Sequence, residues 1–152
     1  MYDRVRRWHG CLVDIGDLEP RHLDDFYSFF ISCFHLKDWI KNDDAVRREV
    51  RDTVEQWVNE SQWLRWCADI ANGFKHLVIN RSARESPDAR LERVPAAFQE
   101  DAFQADAFQV GGVIVTAHDF VCDAKGMTDR CLDAWDEFLT RSGLLTHPPR
   151  AT

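Results

Sequence analysis

The chain has no apolar run near the ~18 residues a membrane span needs, so it is not expected to cross a bilayer. Glycine and proline are sparse, 7 and 5 of 152 residues, which excludes collagen-like and low-complexity chains. The five cysteines are odd in number and none pairs at CxxC spacing, so neither a disulfide framework nor a zinc knuckle is indicated. Cations are in deficit, with 19 Lys and Arg against 26 Asp and Glu for a net charge of −7. Phosphate backbones are gripped by surplus cations, so this balance counts against broad nucleic-acid binding and leaves room only for a local basic cleft. Residues 96–152 hold much of the deficit, four Lys/Arg against nine Asp/Glu. Phosphate-binding glycine loops, G-x-S-x-G elbows and HExxH helices are missing, and no cofactor is expected. Met1–His9 is charged and lacks the apolar core of a secretory signal, so the chain reads as cytoplasmic.

What is present is a hydrophobic fraction of 45% and an aromatic fraction of 12%, enough for one core and too much for a disordered chain. Residues 1–20, interrupted by Gly10, Gly16 and Pro20, read as an arm laid against a single domain at 21–143, and residues 144–152 as a frayed tail. From Arg21 to Ile40, Leu23, Phe26, Phe30, Cys33 and Phe34 recur at helical spacing, with Tyr27, Ile31 and Trp39 as a second inward stripe. Asn42-Asp43-Asp44 ends this helix and caps the next, Asp44 to Asn59, with Val46, Val50, Val54 and Trp57 inward. A third helix, capped by Asn59-Glu60-Ser61, runs to about His76 with stripes Trp63-Cys67-Ile70-Phe74 and Leu64-Ala68-Ala71.

Leu77-Val78-Ile79 and Gly111 to Thr116 are β-type runs that can pair as a ribbon. Between them, 81–110 reads as an irregular loop holding the repeat Ala97-Phe98-Gln99, Ala102-Phe103-Gln104, Ala107-Phe108-Gln109. A five-residue step matches neither helix nor strand and points to replication slippage in a tolerant loop. Its exposed phenylalanines make 97–109 a candidate docking segment for a protein partner. A last helix, about Ala117 to Ser142, keeps Phe120, Ala124, Met127, Cys131, Trp135 and Phe138 in phase, with Gly143 as its C-cap. The expected fold is mainly α: an antiparallel four-helix bundle with a short two-stranded β-ribbon inserted between helices three and four. Cys33, Cys67 and Cys131 lie on its apolar stripes and read as buried thiols acting as small hydrophobes.

Two stretches bring histidine and charge into apolar helices. His35 and Asp38 share a helix face with Ser28, Ser32 and Asn42, while Lys37 points the other way. Arg65, Asp69, Asn72 and His76 line one face of the third helix. In up-down-up topology helices one and three are parallel, which would bring His35 and His76 to one bundle end, with Gly73 permitting a close helix or ligand approach. A histidine beside a carboxylate exchanges protons near neutral pH. Singly, His35–Asp38 also reads as a helix-end pair and His76 as a residue favoured by the helix dipole. A third reading uses His35, His76 and Asp38 or Asp69 as metal ligands, although no His-x-x-x-His or Glu-x-x-His spacing accompanies them.

The stretch Ala71-Asn72-Gly73-Phe74-Lys75-His76, late in the third helix of a bundle, resembles the HEPN superfamily. Asn72 and His76 match that family's asparagine and histidine, and Ala71 stands where it has arginine. Phe34-His-Leu-Lys-Asp-Trp39 and the same hexapeptide also resemble segments of small bacterial and phage-associated proteins. The HEPN resemblance implies metal-independent RNA cleavage at a composite site in a homodimer, in toxin or phage-defence settings. It implies His76 as general acid/base and Asn72 as the group orienting it. Without the arginine, Lys75 or Arg65 is left to face phosphate. The family also includes non-catalytic binding and scaffolding domains, and the net charge of −7 favours that alternative.

Overall fold

The computed structural model describes residues 1–12, 21–75, 84, 89–94, 112–117 and 120–145. Its longest element, α2 (Arg21–Asn42), buries Phe26, Phe29, Phe30, Cys33, Leu36 and Ile40 at three- and four-residue steps, as one helix face dictates. Trp39, expected inward, is 57% exposed, because the buried stripe passes through Leu36 and Ile40 on the other side of the helix. Asp43 does not open the next helix; its carboxylate accepts from the Ala45 N–H in a turn, and α3 runs Arg48–Glu60. Val50, Val54 and Val58 face the core, and Trp57 is only half-buried.

A single residue, Ser61, separates α3 from α4 (Gln62–Lys75). Its N–H closes α3 on the Trp57 carbonyl, while its hydroxyl accepts from the Leu64 N–H at 3.4 Å and starts α4. So short a link does not reverse the chain. Lys37 and Lys41 meet Glu55, the Cys67 thiol reaches the Phe30 carbonyl, and Tyr27 stacks on Phe74 with ring centres 4.3 Å apart. As numbers rise along α3 and α4 they fall along α2, so α4 runs antiparallel to α2 and not parallel as the simple bundle requires.

The expected arm is partly helix. In α1 (Tyr2–Cys11) Val5 and His9, with Leu12 just beyond, form a buried stripe, and Arg4, Arg6 and Arg7 face outward. Tyr2 donates to Asp136, and His9 pairs with Asp129, tying α1 to the last helix.

The β structure also departs from the expected ribbon. Three antiparallel strands lie in the order β1 (Arg90–Val94), β2 (Gly112–Ala117), β3 (Phe120–Asp123). Leu91 pairs with Val115 and Val115 with Cys122. β1 falls inside the segment read as an irregular loop, because Arg90-Leu91-Glu92 offers one apolar side chain to the core and leaves its charges outside. Residues 77–79 lie outside the described residues. β3 takes the first turn assigned to the last helix, and α5 (Ala124–Arg141) begins where the Asp123 carboxylate accepts from the Gly126 N–H. The described residues therefore form five helices and a three-stranded sheet, still mainly α. The sheet packs β2 on α5 and β1 on α4, around a core that includes Phe29, Phe30, Trp135 and Val115. No helix among the described residues is long and apolar enough to cross a membrane.

Candidate functional site

Of the predicted site residues, His35 and Asp38 do meet, with His35 Nδ1 3.0 Å from Asp38 Oδ2. Lys37 joins them instead of pointing away. A lysine stem is long enough to bend around the helix, and its ammonium donates to Asp38 at 2.9 Å and to Glu55 at 3.2 Å. Glu55 also accepts from Lys41 and from Arg84, at 3.3 and 2.6 Å. Arg84 continues to Asn59, and its backbone N–H donates to the buried Asp69 carboxylate at 2.8 Å. Lys37 and Arg84 both lie over the Phe34 ring. Burial pushes the Glu55 carboxyl up, but Arg84 and Lys37 outweigh it and hold the group at about 2. Burial likewise opposes the hydrogen bonds of Lys37 and His35 at Asp38, whose pKa ends below its ordinary value.

This network is a clamp joining α2, α3 and Arg84. The Glu55 and Asp38 carboxylates are held ionised by the cations beside them, so neither is poised to take up a proton near neutrality. Asn72 does not join it. Asn72 lies near Phe74, whose stacking partner Tyr27 precedes His35 by about two helical turns, roughly 12 Å along α2. Arg65 donates to the Asn59 carbonyl at 2.6 Å. Lys75 ends α4, and His76 and the repeat at 97–109 lie outside the described residues. A Cβ at Gly73 would stand 3.5 Å from the Ala89 carbonyl, an ordinary contact.

The charged network was missed because Glu55, Asn59 and Arg84 belong to other segments, and no spacing within α2 announces them. The described His/Asp metal candidates do not gather either, since Asp69 serves Arg84 while Asp38 serves Lys37 and His35. Three cysteines do. Cys33 of α2, Cys67 of α4 and Cys131 of α5 are wholly buried, and their sulfurs all lie within 4.8 Å of one another.

A second feature is open to solvent. A groove of about 370 Å³ runs between the α3–α4 corner and α5, with Trp57 and Trp63 in its wall and Glu60, Asp133, Glu137 and Arg130 also lining it. The Trp57 indole N–H is anchored on the Ala134 carbonyl at 3.1 Å. Arg141 covers the Trp57 ring at 5.5 Å.

No protein-family model, curated protein or solved structure matches this chain. A functional reading therefore rests on the geometry above.

Proposed function

We propose that the chain is a non-enzymatic interaction domain that receives a basic segment of a protein partner in the groove between Trp63 and α5. The observation carrying this reading is the groove's chemistry: two indoles, with Glu60 and Asp133 beside Arg130, and Glu137 already paired with Arg141 at 2.6 Å. Carboxylates attract Lys or Arg heads, and aromatic faces take the alkyl stems and the positive charge. Arg141 over Trp57 is an internal example of that contact. A rigid indole orders at little entropic cost, as suits a binding surface.

The RNA-directed, HEPN-like alternative draws less support. Ala71, at the arginine position of the motif, is 5% exposed and packed in the core, and Lys37 and Arg84 are already neutralised by carboxylates. Titration with a labelled Lys/Arg-rich peptide, followed by anisotropy, tests the reading. Binding is expected to weaken with salt and to fall about tenfold or more in Trp63→Ala and in the double variant Asp133→Asn/Glu137→Gln. Equal binding of an acidic peptide of the same length would overturn it. Cleavage of labelled RNA that disappears in His76→Ala would replace it with the ribonuclease reading. A dimer dissolved by Trp63→Ala would make a second copy the occupant.

A further inference from the structure

Three helices that are distant in sequence each deliver one sulfur to a common point. A buried cysteine alone needs no explanation beyond packing. Here Cys33, Cys67 and Cys131 are all 0% exposed and mutually within 4.8 Å, a donor set containing sulfur and no oxygen. We infer that these three cysteines form a trigonal site for a monovalent thiophilic cation, of the class represented by Cu(I).

Sulfur donors select soft ions and reject magnesium and calcium. Zinc favours four ligands, and among the described residues no further histidine, cysteine or carboxylate joins the cluster. Sulfurs placed ~2.3 Å from a central ion in a plane stand about 4 Å apart, so closing the site moves each sulfur inward by at most about half an ångström. That shift lies within ordinary side-chain adjustment.

Before a cation binds, the Cys67 thiol donates to the Phe30 carbonyl at 3.3 Å and the Cys131 thiol to the Trp63 carbonyl at 3.4 Å. No carbonyl takes a proton from Cys33 among the described hydrogen bonds, and the Trp135 indole N–H, fully buried and without a hydrogen bond of ordinary geometry, stands by its sulfur. When the cation binds, each of the three S–H bonds breaks as a sulfur–metal bond forms, and the protons pass to solvent. Copper enters and remains as Cu(I), so no electron is transferred.

The test uses the double variant Cys11→Ser/Cys122→Ser, which removes the exposed and half-buried cysteines and leaves the cluster untouched. Titrated anaerobically with Cu(I) against bathocuproine disulfonate, it is expected to retain one equivalent. X-ray absorption should then show a shell of three sulfurs. Cys33→Ala on this background should lose retention, and Trp135→Phe should weaken it by about tenfold, as for an outer-shell donor. Failure of the double variant to hold Cu(I), or retention of Zn(II) in preference to Cu(I), would overturn the proposal without reliance on any core substitution.

Discussion

Glu55 offers the sharpest test of the charged clamp. Its carboxylate accepts from Arg84 at 2.6 Å, Lys37 at 3.2 Å and Lys41 at 3.3 Å, and its pKa falls from an ordinary 4.5 to about 2. At 1.36 kcal/mol per pKa unit, such a difference between folded and unfolded chains is worth about 3 kcal/mol at full strength. The side chain is 34% exposed, however, so solvent and salt reduce the expectation to about 1–2 kcal/mol. The group is depressed in the folded state, so its contribution is complete above the unfolded value and disappears as pH falls from about 4.5 toward 2. Glu55→Gln is therefore expected to lose about 1–2 kcal/mol at neutral pH and to show a correspondingly shallower loss of stability on acidification. Lys37 keeps Asp38 as a partner in the variant, which prevents a larger penalty. Urea unfolding of both proteins between about pH 7 and pH 2.5, followed by circular dichroism, measures the difference. Parallel stability curves over that range would refute the argument, because they would show that the three cations do not favour the ionised carboxylate.

Val5→Asp places an unpaired charge at a fully buried position of α1 and should free that helix, seen as faster tryptic cleavage at Arg4, Arg6 and Arg7. Phe29→Ala empties a wholly buried ring site and should cost about 3–5 kcal/mol in chemical unfolding. Asp123→Ala removes the acceptor for the Gly126 N–H at the start of α5 and should cost about 1 kcal/mol, with Asp123→Asn recovering most of it. Gly143→Ala forces a side chain into backbone at φ 69 and should lower stability by about 1 kcal/mol, measurable as a fall in Tm.

Helix periodicity made α2, α3 and α4 legible, because a face is a property of spacing within one segment. Even there, the inward position of Phe29 and the outward position of Trp39 depended on what lies opposite. α1 escaped notice because three arginines surround its short stripe of Val5, His9 and Leu12, and β1 because a half-buried strand with a single leucine resembles a polar loop. The phase of Phe120 with Ala124 and Met127 concealed β3, since helical spacing does not show where backbone pairing replaces it.

The sequence by itself determined a mainly helical chain with one core, a deficit of cations and three cysteines on apolar faces. The His35–Asp38 pair was also readable, because residues three apart on a helix are neighbours. Only the tertiary structure decided that α4 runs against α2, separating Asn72 from His35, and that Lys37 and Arg84 neutralise Glu55. It alone brought the sulfurs of Cys33, Cys67 and Cys131 together and set Trp63 beside the acidic edge of α5. Local spacing specifies which side of a segment avoids water. Which segments share that dry space depends on where the chain reverses and where, as at the one-residue link Ser61, it does not, and on the packing of the whole core.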